Sequence, residues 1–419
     1  MKTLLTAAFA ATALTAMPVL ADKAAVLDTY ADIAEAGFGD SLITAKTLQS
    51  AVNALIANPS AENLQAAKAA WLAARVPYQQ TEVYRFGNAI VDEWEGKVNA
   101  WPLDEGLIDY VGEAYGGPTD ENELAVLNVI ANPSFKLSGA DVDASEITPE
   151  LLEATLHEAD ENEANVATGY HAIEFLLWGQ DTNGFEHGAG NRPWTDYAMG
   201  DACTNDNCDR RAQYLKAATD LLVSDLEWMT AQWAEGGAAR AAVTGDENAG
   251  ITAMLTGMGS LSYGETGGER MKLGLMLHDP EEEHDCFSDN THNSHFYDGV
   301  GIRNIYLGEY TRVDGSTISG TSLASLVEAA DAGVNAEMVA NLNASVITLG
   351  KIKTAAEAGF SYDQMLAPGS EAGEKLITDG VNALVTQTRS IERATAALGL
   401  DGIGIEGSDS LDNPKAVFE

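Results

Sequence analysis

The chain has 419 residues, of which 45% are hydrophobic and 21% charged, enough apolar material to bury large cores, so it is not a disordered acidic tail. Its 64 acidic residues against 23 basic ones give a formal net charge of −41, which excludes nucleic acid and anionic lipid as partners and leaves cations or cationic partners open. In chain order, residues 1–21 read as a secretory signal: Lys2 supplies the positive start, an apolar run of small residues follows, and Val19-Leu20-Ala21 is a small-residue cleavage site. The mature chain is therefore expected to begin at Asp22 and to be periplasmic or secreted. It has no later apolar stretch approaching the roughly 20 residues that a spanning helix needs.

From Asp22 onward apolar residues recur at three- and four-residue intervals, with abundant Ala and Leu and almost no β-branched alternation, so the fold class is all-α. The spacing predicts helices over 24–36, 41–57, 61–86, 147–178, 210–234, 248–277, 323–332, 335–355 and 373–398. Ser60 is placed to cap the third of these, and Pro77 removes an amide donor inside it and predicts a kink. The stretches 183–208 and 279–298, rich in Gly, Asn, Asp and aromatics, read as long functional loops. Cys203 and Cys208 bracket a Thr-Asn-Asp-Asn loop and are the natural disulfide pair in an oxidising compartment, leaving Cys286 as a buried, inert thiol. A glycine-rich boundary near 236–246 divides the mature chain into 22–240 and 241–419, each with enough helices for a four-helix bundle.

Three stretches carry candidate chemistry. In Gly169-Tyr170-His171-Ala172-Ile173-Glu174 a three-residue helical offset sets imidazole and carboxylate on neighbouring ridges, close enough to share a cation. Four of the seven histidines fall in the stretch from His278 to His295, where His284, Asp289 and His292 stand among carboxylates and a thiol, a donor set suited to a transition metal. The competing reading of Ser288, Asp289, Asn290 and Thr291 is as turn and capping residues. Trp71, Arg75, Tyr78, Glu82 and Arg85 recur near helical spacing, which describes a packed stripe, yet Glu82 beside Pro77 is positioned to reach His171 and Glu174 as a third ligand. His157 lies about 21 Å of helical rise before His171 and cannot share its ion. The glycines of 257–268 lack a Gly-Lys-Ser/Thr ending and a preceding strand, so they read as close-packing positions and not as a phosphate loop. No H-E-x-x-H, H-x-x-E-H or G-x-S-x-G pattern is present, and no catalytic residue is assigned.

These residues resemble a known family. Gly169 to Glu174 looks like the G-x-H-x-x-E signature of the imelysin-like proteins. Ser262-Tyr263-Gly264-Glu265-Thr266-Gly267-Gly268-Glu269-Arg270-Met271, His284-Asp285-Cys286-Phe287-Ser288-Asp289-Asn290-Thr291-His292 and Gly301-Ile302-Arg303-Asn304-Ile305-Tyr306-Leu307-Gly308 are similar to that family's iron-regulated protein A-like branch. The resemblance implies two packed four-helix bundles in an exported protein, a site at the domain interface, and a part in bacterial iron uptake. It implies iron as the metal, with zinc or haem as alternatives, and an outer- or inner-membrane uptake component as partner. It makes His171, Glu174 and Glu82 the ligands. Arg75, Tyr78, Arg85, His284, Asp289 and His292 then surround the ligand, with Arg75 and Arg85 orienting carboxylates or an anionic ligand. The competing implication, from the family's first classification, is a metal-dependent peptidase acting through the same residues.

Overall fold

A computed structural model describes residues 22–119 and 122–418; the signal expected at 1–21 lies outside them. The regular structure of the described residues is helical apart from two short antiparallel hairpins, Ser134–Leu137 with Ala140–Asp143 and Glu309–Thr311 with Thr317–Ser319. No helix among the described residues is long and apolar enough to cross a membrane.

The long helices Lys23–Ala57, Ala61–Gln79 and Cys208–Trp233 pack side by side, and a second group is built from Thr291–Leu307, Ala332–Glu357 and Glu371–Ala397. The larger core joins residues such as Leu27, Trp71, Tyr170, Trp233, Ile251, Met258, Tyr306 and Ile391. A smaller one gathers Met271, Leu349, Ile352, Leu366, Ile377 and Leu384.

Several elements differ from the sequence expectation. The expected break between 36 and 41 is absent, and Lys23–Ala57 is one 35-residue helix. Gly37 packs on Thr81 there, and buried Asp40 accepts bonds from Arg312, Tyr310 and the Val313 amide. Those contacts outweigh the roughly 1 kcal/mol that a helical glycine costs. The 61–86 helix, capped by Ser60 as expected, ends at Gln79, two residues past Pro77, and a 3-10 turn at Glu82–Tyr84 then points Glu82 inward.

The 147–178 segment is not one helix. It breaks into a short turn at Pro149–Leu151, a π-helical turn at Leu152–Leu156 and a left-handed bend through Glu158, Asp160 and Glu161 before the helix Gly169–Trp178. His157 ends up in that bend, its Nδ1 accepting from the Ala167 amide. Last, the loop at 279–298 stops at Asn290, so His292 and His295 stand on the helix Thr291–Leu307. The helix Ala89–Asn99 was not foreseen either.

The glycine-rich segment continues Glu247–Ser260 as a π-helical stretch, Leu261–Leu273, in which i→i+5 bonding widens the backbone. A Cβ on Gly264 would meet the Glu406 carbonyl and one on Gly268 the Ser408 side chain, so these glycines let the C-terminal segment close over the helix.

Candidate metal centre

Gly169–Trp178 is short and buried on every side. Gly169 opens it at φ +81, and a Cβ there would lie 2.5 Å from the carbonyl oxygen of Val98. Only glycine lets this helix touch Ala89–Asn99 so closely, and the contact sets the height of His171 and Glu174 two and five residues on. Trp71 fixes the same helix from the other side, donating its indole N–H to the Tyr170 carbonyl at 2.9 Å.

His171 Nδ1 stands 3.2 Å from Glu174 Oε2 and 3.9 Å from Asp285 Oδ1, and its ring centroid is 4.7 Å from that of His284. One ligand atom each from His171, His284 and Asp285 lie within 4.8 Å of one another, and all three residues are buried. Burial holds the His171 imidazole down at about 3, with Arg75 adding to the effect, and holds His284 well below the ordinary range. Both rings are neutral and able to offer a lone pair. His171 Nε2 and both nitrogens of His284 and of His295 have no hydrogen-bond partner.

The surrounding charges are fixed in pairs. Arg75 donates to Asp285 at 2.8 and 3.4 Å and to Asn99 at 2.7 Å, while its guanidinium lies 5.0 Å from the Tyr170 ring centroid. Burial alone would raise the Asp285 carboxyl, but Arg75 holds it below the usual range, and Asn290 and Ser294 also donate to it. Glu174 accepts from the Ser288 amide at 2.9 Å, and burial followed by repulsion from Asp285 pushes its carboxyl well up.

The other residues expected at the site are placed as follows. Glu82 is buried, but its oxygens are taken by Asn99 and by Arg270, both at 2.5 Å, and it is outside the set within ligand distance. Tyr78 is buried against Tyr170, with ring centroids 4.8 Å apart. Arg85 is partly exposed and pairs with Asp92, Glu95 and Glu265. Asp289 lies in a separate carboxylate group with Asp181 and Asp363. The imidazole of His292 contacts the amide of Asn293 at 3.1 Å. Cys203 and Cys208 are bonded, and burial pushes the free Cys286 thiol well up.

Asp285, His295 and Arg270 were not singled out from sequence. Asp285 could have been, since it directly follows His284 in the quoted motif. Arg270 could not, because it acts through Glu82, 188 residues away, and through Glu265 and Asp298.

Access comes from a cleft of about 710 Å³ that His284, Arg270, Asn99 and Trp101 help to line. Eight carboxylates against two arginines face it, so it attracts cations.

The family model for imelysin matches residues 34–391. Iron-regulated protein A of Synechococcus elongatus is 38% identical over 60 residues, a match that spans only 14% of this chain and 17% of that protein. Among solved structures, a Parabacteroides distasonis protein assigned as an iron-regulated protein A precursor superposes with a TM-score of 0.66 at 18% identity, over 92% of this chain and 97% of that one. An imelysin-like protein from Psychrobacter arcticum gives 0.56 at 15% identity, over 91% and 98%. At these identities the two structures speak for a common fold.

Proposed function

This chain belongs to the imelysin family, and on that footing we propose that it is an exported iron-binding protein that holds the ion between His171, His284 and Asp285 for uptake. The observation that carries this reading is the buried set of two imidazoles and one carboxylate, within reach of a single ion and with imidazole nitrogens that no protein group uses. Two histidines and one carboxylate are a donor set suited to ferrous iron, and zinc accepts the same atoms. Glu174 lies one hydrogen bond behind His171, where it orients the ring and offsets the charge of the ion. Arg75 orients the Asp285 carboxylate through two hydrogen bonds. Glu82, engaged by Arg270, stiffens the wall of the site.

Two features favour a bare cation over the alternatives. The acidic lining of the cleft repels an anionic chelate or the propionates of haem. A peptidase needs a substrate amide beside the metal, yet His171, Glu174, His284 and Asp285 are all at or below 2% exposure. An ion reaches such a place far more readily than a polypeptide. The test is metal content by mass spectrometry on protein loaded with ferrous iron or zinc, for the parent and for His171→Ala, with a casein-cleavage assay alongside. The expected result is one equivalent of iron in the parent, loss in the variant and no cleavage. Metal-dependent cleavage abolished by His171→Ala would replace uptake with proteolysis.

A further inference from the structure

We propose a second cation site, made only of oxygen ligands from Asp181, Asp289 and Asp363 with Glu283 beside them, that takes a hard divalent ion of the calcium class and braces the loop bearing His284 and Asp285. This goes beyond the iron reading and does not depend on it.

One carboxylate oxygen from each aspartate lies within 4.8 Å of the others. Ligand atoms gathered that closely can share one ion, and several carboxylates around a single cation suit calcium, whereas magnesium keeps most of its water. Asp181 and Asp289 are half-buried, which leaves a path for the ion, and Asp363 is 2% exposed.

The independent sign of a ligand is Glu283. It is wholly buried, and its carboxylate faces the Asp363 carboxyl and the Thr291 hydroxyl with no basic group opposite it; one oxygen each of the Asp363 and Asp289 carboxylates, Asp363 itself being buried, has no hydrogen-bond partner. The charges of Asp289 and Asp181 repel Asp363, a hydrogen bond with Glu283 works the other way, and the basic group acting on Asp289 is the imidazole of His187. Burial and this mutual repulsion hold Asp363 up at about 8 and Asp181, with Asp289 beside it, up at about 6. Burying several carboxylates together is unfavourable unless a cation or shared protons offset their charge. With no imidazole or thiol in the set, the matching cation is a hard one.

The ion would join three segments. Asp181 lies just beyond the helix that bears His171 and Glu174, Asp289 closes the loop that bears His284 and Asp285, and Asp363 is in the helix Tyr362–Leu366. The Gly188 amide already bridges to Asp289 Oδ2 at 3.2 Å, and Asn183 donates twice to Asp181 Oδ1.

The experiment uses chelator-stripped mature protein, with calcium or magnesium chloride titrated while melting temperature and binding heat are followed. Calcium at about a hundred times its Kd should raise Tm by roughly 3 to 5 °C, with one equivalent bound. Asp363→Asn and Asp289→Asn should lose that equivalent and most of the shift. Both variants should fold, since each removes repulsion and asparagine tolerates the left-handed backbone of residue 289. Substituting exposed Glu371→Gln and Glu374→Gln together controls for diffuse binding to the acidic surface and should change nothing. His284→Ala should keep the calcium response, so failure of this site and failure of the iron site are seen separately. A calcium shift of equal size in the parent and both aspartate variants would overturn the proposal. So would a parent that ignores calcium while Asp363→Asn alone raises Tm, because the cluster would then be held by protons.

Discussion

Arg75 and Asp285 answer each other's charge in the interior, whereas His171, His284 and His295, just as deeply buried, keep imidazole nitrogens with no protein partner. The first arrangement recurs at other buried arginines: Arg270 holds Glu82, Glu265 and Asp298, and Arg192 and Arg211 converge on Asp109. Taking charge out of water is tolerated only when it is compensated. Where the protein compensates a buried charge itself, the residue is scaffold; the neutral imidazoles gathered beside Asp285 are the ones we assign to an ion from outside.

If that division is right, mutating the two classes has opposite consequences. The largest effect belongs to the scaffold: Arg75→Ala strands the buried carboxylate of Asp285 and should lower unfolding free energy by about 3 to 5 kcal/mol in urea titration. Gly169→Ala should follow, at about 2 kcal/mol or more, because the new Cβ meets Val98 in a left-handed backbone; a loss below about 0.5 kcal/mol would mean that the contact with Ala89–Asn99 can slide.

Acid comes next. Burial holds His295 neutral, at about 3 against an ordinary 6.5, so the unfolded chain takes up the proton first as pH falls. The stability that this residue contributes is full above about pH 6.5 and is lost progressively down to about 3, by about 2 kcal/mol between pH 7 and 5. His295→Phe should flatten that part of the stability–pH curve, and an unchanged slope would contradict the assignment. The smallest effect on stability belongs to a ligand. His284→Phe removes two unpartnered nitrogens from the interior and should shift metal-free stability by no more than about 1 kcal/mol, in either direction, while abolishing iron binding. A loss as large as that of Arg75→Ala would move His284 into the scaffold class.

How much of this was legible in the sequence follows the same division. Cys208–Trp233 and Glu371–Ala397 are amphipathic and were placed within two residues of their observed ends, because one face meets the core and the other meets water. Gly169–Trp178 is buried all round, with no solvent-facing side to mark where it begins, and the left-handed residues 158, 160 and 161 of the bend before it leave no periodic signal. The G-x-H-x-x-E motif located half of the candidate centre. The partner half came out differently because spacing along a helix cannot reveal that Glu82 is held by Arg270, nor that a loop more than a hundred residues away brings Asp285 against His171. Asp289, read together with His284, turns away to Asp181 and Asp363 because its backbone is left-handed at φ +55.

The central claim is that iron sits on imidazole nitrogen and not on the acidic oxygens that dominate this chain. X-ray absorption at the iron edge, on protein loaded with one equivalent of ferrous iron, tests it most directly. The account predicts scattering from two histidine rings in the parent and from one in His171→Ala at forced loading. A shell of oxygen alone, unchanged by His171→Ala, would contradict it.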